Sequence, residues 1–281
     1  MVKLIIDSGS DVSKVQADEL GIMMVPMEIQ FGDECFYDGV DLLPGDFFEK
    51  LVVSKELPHT SLINEYRWKE AFEEATKNGD EVIAIVLSSK LSGTYNSAKE
   101  AAKSFDGKVF VVDSLSATLG ERLLAQYAEK LIAEGLSAKE VFEKLEEKKT
   151  KLHIYAMIDT LKYLKMGGRI SATTAFFGEL LSIKPIIEVS GGEVKVIGKE
   201  KGMKNVHKNI CGLVEKTGGI DFDMPYGTLW SGNDKTSLNK FVELCNHLWS
   251  ADSAEIQQHE MGSTIGTHIG PGAFAIVYFE K

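Results

Sequence analysis

Proline, cysteine, basic charge and long apolar runs are all scarce in this chain. Six prolines in 281 residues leave no proline-rich linker, so two lobes, if present, should pack firmly rather than hang on a tether. Cysteine occurs only at Cys35, Cys211 and Cys245, far apart and without a C-x-x-C pair. That spacing offers neither a disulfide framework nor a zinc site, and points to reduced, buried thiols. The six histidines are scattered with no H-x-x-x-H pair, so no metal is expected. No uninterrupted apolar stretch approaches the roughly 18 residues that a membrane helix requires. The opening run Met1-Val2-Lys3-Leu4-Ile5-Ile6-Asp7 turns polar too soon for a signal-peptide core. Together these absences predict a soluble, cytoplasmic protein with no transmembrane segment. Lys and Arg number 31 against 42 Asp and Glu, for a net charge of −11, and only Lys148–Lys151 forms a dense basic run. Nucleic acid is therefore not an expected partner, because neutralising phosphates takes clustered cations.

What is present has two textures. Lys3–Ile6, Val82–Leu87 and Val109–Val112 are β-branched runs without alternation, as in strands buried on both faces of a parallel sheet. Between and after them, Glu65–Lys77, Ser97–Lys103 and Leu119–Glu134 repeat apolar residues at three and four, predicting helices and an α/β layer fold. Beyond Lys151 the pattern changes. Ile186–Val189, Ser190-Gly191-Gly192 and Val194–Ile197 read as a β-hairpin. Helical patterns follow at Met203–Lys216 and Asp234–Ser250, with strands at Gly227–Trp230, Ala254–Gln258 and Ala273–Phe279. The expectation is an N-terminal α/β domain with a mainly parallel sheet over residues 1–151. A C-terminal α+β domain with a mainly antiparallel sheet should occupy residues 152–281.

Each N-terminal strand runs into a hydroxyl-bearing loop: Asp7-Ser8-Gly9-Ser10-Asp11, Ser88-Ser89, and Asp113-Ser114-Leu115-Ser116. Ligands bind at the carboxyl ends of parallel strands, but Ser and Asp are also the preferred caps and turn formers. Ser8, Ser10, Ser114, Asp11 and Asp113 are read first as caps. The segment "LSSKLSGTYNSA" (residues 87–98) asks for more. It has no G-x-S-x-G for a nucleophile elbow and no Walker lysine. What remains in Leu91-Ser92-Gly93-Thr94 is a neutral donor cluster before a helix, suited to a carboxylate or phosphate that is held rather than attacked. Thr60-Ser61, after Pro58-His59, form a second hydroxyl pair that either caps the next helix or faces the same ligand. Arg169 follows Gly167-Gly168, and is either a surface residue or one that reaches inward to an anion. His268 is expected in a glycine-rich loop, Gly266-Thr267-His268-Ile269-Gly270-Pro271-Gly272, before the last strand. No nucleotide or other cofactor motif is present.

Eight segments together resemble the DegV family, whose members include fatty-acid-binding subunits of bacterial fatty acid kinase. They are "IIDSGSD", "GIMMVPMEIQFGDECFYDGVDL", "PHTS", "LSSKLSGTYNSA", "VVDS", "IDTLKYLKMGGRIS", "LLSIKPII" and "GTHIGPGAFAIVY", in family order across nearly the whole chain. The resemblance implies a two-domain fold enclosing one long-chain fatty acid such as palmitate, stearate or oleate. The acid would be bound non-covalently and without a cofactor. Its carboxylate would be presented to a dihydroxyacetone-kinase-like kinase subunit that makes acyl phosphate for phospholipid synthesis, the chain itself being non-catalytic. The family's carboxylate-binding positions fall on Thr60 or Ser61 and on Ser92 and Gly93, with Arg169 and His268 as basic support. One departure is Leu62-Ile63-Asn64, where the family commonly continues Gln-Pro-Ser. The acyl tunnel is expected along residues 173–187 and Ile22–Met27. Two other readings stay open: an acyl ester hydrolase with Ser92 or Thr94 as nucleophile assisted by His268, and a sensor of another anionic lipid.

Overall fold

A computed structural model of the chain describes residues 1–170, 183–249 and 256–281. The first half runs β1 (Val2–Asp7), α1 (Lys14–Leu20), β2 (Met23–Val25), β3 (Glu28–Phe31), β4 (Glu34–Tyr37), α2 (Pro44–Val53), β5 (His59–Ser61), α3 (Glu65–Thr76), β6 (Glu81–Val86), α4 (Thr94–Ala102), β7 (Val109–Asp113), α5 (Leu119–Ala133) and α6 (Ala138–Lys148). The second half runs β8 (Leu152–Met157), α7 (Lys162–Met166), β9 (Ile183–Ser190), β10 (Glu193–Lys201), α8 (Met203–Lys216), β11 (Gly227–Trp230), α9 (Thr236–Leu244), β12 (Gln257–Glu260), α10 (Ser263–Ile269) and β13 (Phe274–Phe279).

The unalternating strands of the first half form a four-stranded parallel sheet, β2-β1-β6-β7. The side chains of the central strands β1 and β6 are mostly buried, because α3 and α4 as well as α5 and α6 pack against the sheet. A six-stranded sheet follows in the order β10-β9-β8-β13-β11-β12, antiparallel except for β11 with β12. Here residues alternate. Tyr155, Met157, Ile186, Phe274, Ile276 and Tyr278 pack with α8 and α9 on one face. Ile154, Ala156, Ile187, Ala275 and Val277 turn to the other, where they join the core of the parallel sheet. Helix α5 touches β1 and β6 of one sheet and β8, β11 and β13 of the other. A small antiparallel sheet, β4-β3-β5, completes the fold beside α2 and α10. The fold is thus mixed α/β, with a parallel sheet and a mainly antiparallel one, as the two sequence textures predict.

The hairpin turns at Gly191 and Gly192, whose φ values of 60° and 86° suit a two-residue turn that L side chains resist. Its tip docks on the loop after β6, where the Ser88 hydroxyl donates to the Gly192 carbonyl at 2.8 Å.

Three expectations need correction. Helix α4 begins at Thr94 rather than Ser97, because Ser92 Oγ accepts the Thr94 N–H and starts the helix there. Helix α9 ends at Leu244 rather than Ser250, as the chain leaves helical geometry at Cys245 and makes a 3-10 turn over Asn246–Leu248. The thiols are neither all reduced nor all buried: Cys211 and Cys245 form a disulfide with Cα atoms 6.3 Å apart, and Cys35 is free and exposed. Helices α8 and α9 lie side by side on the sheet, a tertiary contact that cysteine spacing cannot reveal. Of the strand expected at Ala254–Gln258, the start lies outside the described residues.

Candidate functional site

One cleft of about 950 Å³, counting the open space at its mouth, runs between the loops above the parallel sheet and the inner face of the six-stranded sheet. All six residues singled out in the sequence lie on its wall: Thr60, Ser61, Ser92, Gly93, Arg169 and His268. They cluster at its solvent end. Ser61 and Gly93 are exposed, and Thr60, Ser92, Arg169 and His268 are half-buried. The deeper wall is apolar and buried, with Met27, Leu87, Ala117, Leu164, Met261 and Ile265 from the loops and helices. Ile154, Ala156, Ile187, Leu229 and Ala275 add the inner face of the sheet.

Thr60 and Ser61 sit on β5 rather than at a helix start. Asn64 takes the capping role, its Oδ1 accepting the Arg67 N–H at 3.0 Å. This gives the Leu62-Ile63-Asn64 departure a physical sense. Asn64 caps α3, Ile63 is fully buried with its N–H given to Thr94 Oγ1, and Leu62 packs at Gly93. A Cβ on Gly93 would meet Leu62 at 2.9 Å, so glycine keeps the mouth open there. At the start of α4, Gly93 is the N-cap residue and provides no side-chain cap. The positive end of the helix thus faces the mouth with most of its first-turn N–H groups uncapped by a side chain. Ser92 Oγ and Thr94 Oγ1 are 2.9 Å apart and hydrogen-bonded.

Arg169 is half-buried on the cleft wall. The chain leaves α7 through Gly167 and through Gly168 at φ 69°, and Arg169 then turns back over the cleft. Its Nε donates to the Leu91 carbonyl at 3.0 Å and Nη1 to the Gly167 carbonyl at 2.6 Å. The first bond ties the arginine to the Leu91-Ser92-Gly93 loop, and the second holds it to its own segment. His268 lies on α10, not in a loop. Its Nε2 is 3.0 Å from Thr60 Oγ1, and its Nδ1 is buried without a hydrogen-bond partner. Burial, reinforced by the Arg169 charge, pushes the imidazole down to about 4. At neutral pH it is uncharged, so beside Thr60 it is a hydrogen-bonding group and not a cation. It bonds to Thr60, away from Ser92 and Thr94, which are paired with each other. The hydrolase reading would need that imidazole as their base.

Of the residues read as caps, Ser10, Asp113 and Ser114 make cap or turn bonds, whereas the Ser8 and Asp11 side chains bond across the fold to Met27 and Thr118. Asp7 Oδ1 accepts the Gly9 N–H and Oδ2 the Leu87 N–H. Ser8 Oγ accepts the Met27 N–H, and Ser10 donates to the Asp7 carbonyl. Asp113 Oδ1 accepts from Ser89 and Leu115, and Ser114 Oγ from Ser116. Asp11 accepts a hydrogen bond from the Thr118 hydroxyl. Thr118 lines the cleft in a strained conformation at φ 54°, and nothing in the sequence marked it. Of the tunnel stretch Ile22–Met27, only Met27 reaches the cleft, since β2 is the edge strand of the parallel sheet. Of residues 173–187, Ile187 lines it, while 173–182 lie outside the described residues. Sequence reasoning missed Ile154, Ala156, Leu229 and Ala275, although the alternation along β8 and β13 was a signal. Among the described residues no group of three or more His, Cys, Asp or Glu could hold a metal ion, and no helix is long and apolar enough to cross a membrane.

With this geometry in view, comparison with known proteins is direct. The model of the DegV family, described as an uncharacterised protein family, matches residues 1–281. A DegV domain-containing protein of Caldanaerobacter subterraneus is 33% identical, covering 100% of this chain and 99% of the relative. A DegV family protein of Thermus thermophilus, whose structure was solved for its fatty acid binding, is 29% identical with a TM-score of 0.89, over 100% of this chain and 99% of that one. DegV of Bacillus subtilis, a fatty acid binding protein, is 29% identical with a TM-score of 0.84 over the same shares.

Proposed function

The chain belongs to the DegV family, and on that premise we propose that it binds one long-chain fatty acid non-covalently in this cleft, carboxylate outward. The observation that carries the reading is the polarity of the cleft: a half-exposed seat of hydroxyls, Arg169 and neutral His268 at the mouth, and a buried apolar wall behind it. Residues 1–151 and 152–281 are taken as the two lobes that enclose the acid. A sixteen-carbon tail gains about 0.8 kcal/mol per buried methylene, on the order of 10 kcal/mol before ordering costs. Each hydroxyl donor adds only about 1 kcal/mol. The tail therefore supplies affinity, and the seat supplies orientation.

A chain of donors follows from the neutral imidazole. With Nε2 protonated, His268 donates to Thr60 Oγ1, which leaves the Thr60 hydroxyl proton free for the carboxylate. Ser61, Ser92 and the Gly93 end of α4 supply further donors, and Arg169 balances the charge. None of these groups attacks the carboxyl carbon. The carboxylate stays at an open mouth, where a dihydroxyacetone-kinase-like subunit phosphorylates it to acyl phosphate.

Denaturing extraction of gently purified protein followed by mass spectrometry should recover one fatty acid per chain. Protein that emerges lipid-free and takes up neither palmitate nor oleate would overturn the reading. Ser92→Ala should slow phosphorylation by the kinase subunit more than it weakens lipid binding, and equal losses in both would count against a seat that only orients.

A further inference from the structure

Behind the seat, the inner face of the six-stranded sheet carries a row of four residues in register. Ile187 of β9 pairs with Ala156 of β8, Ala156 with Ala275 of β13, and Ala275 with Leu229 of β11. All four line the cleft and all are buried. The two central positions are the smallest side chains in the row, flanked by two of the larger aliphatic ones. Directly paired residues stand about 5 Å apart on one face, so adjacent alanines leave a trough between the Ile187 and Leu229 walls. The next row along the strands is Val189, Ile154, Val277 and Gly227, of which Val189 and Ile154 line the cleft with bulkier side chains beside the alanine pair. The sheet contributes only apolar residues to the cleft, while the hydroxyls, Arg169 and His268 come from β5, the start of α4, the segment after α7, and α10. The trough is thus an apolar part of the cleft to which no residue of the carboxylate seat belongs.

We propose that the Ala156–Ala275 pair holds the methyl-terminal part of the acyl chain and sets the longest chain accepted. The inference rests on the fatty-acid reading above and adds the residues that measure the substrate. The large-to-small pattern across the row is what a linear, unbranched alkyl chain needs. A leucine at either alanine would fill the space with carbons that a long tail would otherwise occupy.

The test is a binding series from decanoate to octadecanoate, by displacement of a fluorescent fatty acid, on wild type, Ala156→Leu and Ala275→Leu. Each variant is expected to lose about tenfold or more for octadecanoate, the worth of roughly two buried methylenes, and to keep decanoate within about twofold. Ile187→Ala removes volume instead, and is expected to move the optimum to longer chains. It keeps the question decidable if a leucine variant does not fold. A folded leucine variant whose losses are equal across the series, or absent, overturns the trough. So does an unchanged optimum in Ile187→Ala. Wild-type protein that binds no member of the series overturns the fatty-acid reading itself, a result distinct from either.

Discussion

Gly167 leaves no room for a Cβ beside the His268 ring, and that missing carbon fixes where the imidazole stands. Gly167→Ala should push the ring off Thr60 and weaken fatty acid binding by about 1 kcal/mol, the worth of one hydrogen bond. Binding of the methyl ester, which places no carboxylate on the seat, should change little. Titration of both ligands against the variant checks this. Because burial holds His268 at about 4, below the ordinary histidine value, its protonation is resisted by the fold. Its contribution to stability is present above about pH 6.5 and is lost as pH falls toward 4. Fatty acid affinity should therefore be level from about pH 6 to 8 as far as His268 is concerned. A midpoint near 6.5 that vanished in His268→Gln would mean that the ring carries charge at the seat. Residue types at the mouth were legible in the sequence as a cluster of neutral donors that carries neither a nucleophile-elbow nor a Walker pattern. The roles of Thr60 and Asn64 were not, because which of two neighbours caps α3 depends on the β3–β5 pairing that pulls Thr60 away.

Helix α10 carries His268 yet begins without a cap of its own, its N-cap residue being Gly262. Asp38, from the loop after β4, fills that gap by accepting the Ser263 and Thr264 N–H groups at 3.1 and 3.2 Å. Asp38→Ala should leave two buried donors unsatisfied, at a cost of about 1–3 kcal/mol. In a protein of this size that is a fall of several degrees in melting temperature, at roughly 2–4 °C per kcal/mol. Weaker fatty acid binding should accompany it in the same preparation, because α10 positions the seat. A loss of stability with full binding would separate the helix from the site. Strands β1, β6, β7, β9 and β13 and helices α3, α5 and α8 were readable from their apolar patterns, whereas α2, α6 and β8 were not read. Nor was helix α10, as seven residues opened by a distant aspartate look like a glycine-rich loop. The alanine row was hidden for a related reason, since β8 and β13 pair across more than a hundred residues and register is invisible in one strand.

Four carboxyl groups, Asp7, Asp11, Asp38 and Glu121, are buried together at the junction of the parallel sheet, α5 and the loop before α10. Burial raises all four, Asp7 to about 7 and Asp11 to about 8, against hydrogen bonds from Leu87, Gly9 and Thr118 and the charge of Arg122. Both Glu121 oxygens lack a hydrogen-bond partner among the described residues. Groups raised in the folded state favour it while protonated; His268 acts in the opposite sense between about pH 4 and 6.5, so the fall should show as pH climbs from about 6.5 to about 8. Thermal melts across that range are expected to show the decline, and Glu121→Gln, which cannot ionise, should flatten it and raise stability at the alkaline end. A rising or level wild-type curve would count against a protonated cluster. Glu121 lies on α5, the helix that is wall to both large sheets at once. Neither sheet can shed that helix and keep its own interior dry, so unfolding of one half strips the other. The whole chain should melt as a single cooperative unit, with calorimetric and van 't Hoff enthalpies equal despite its length.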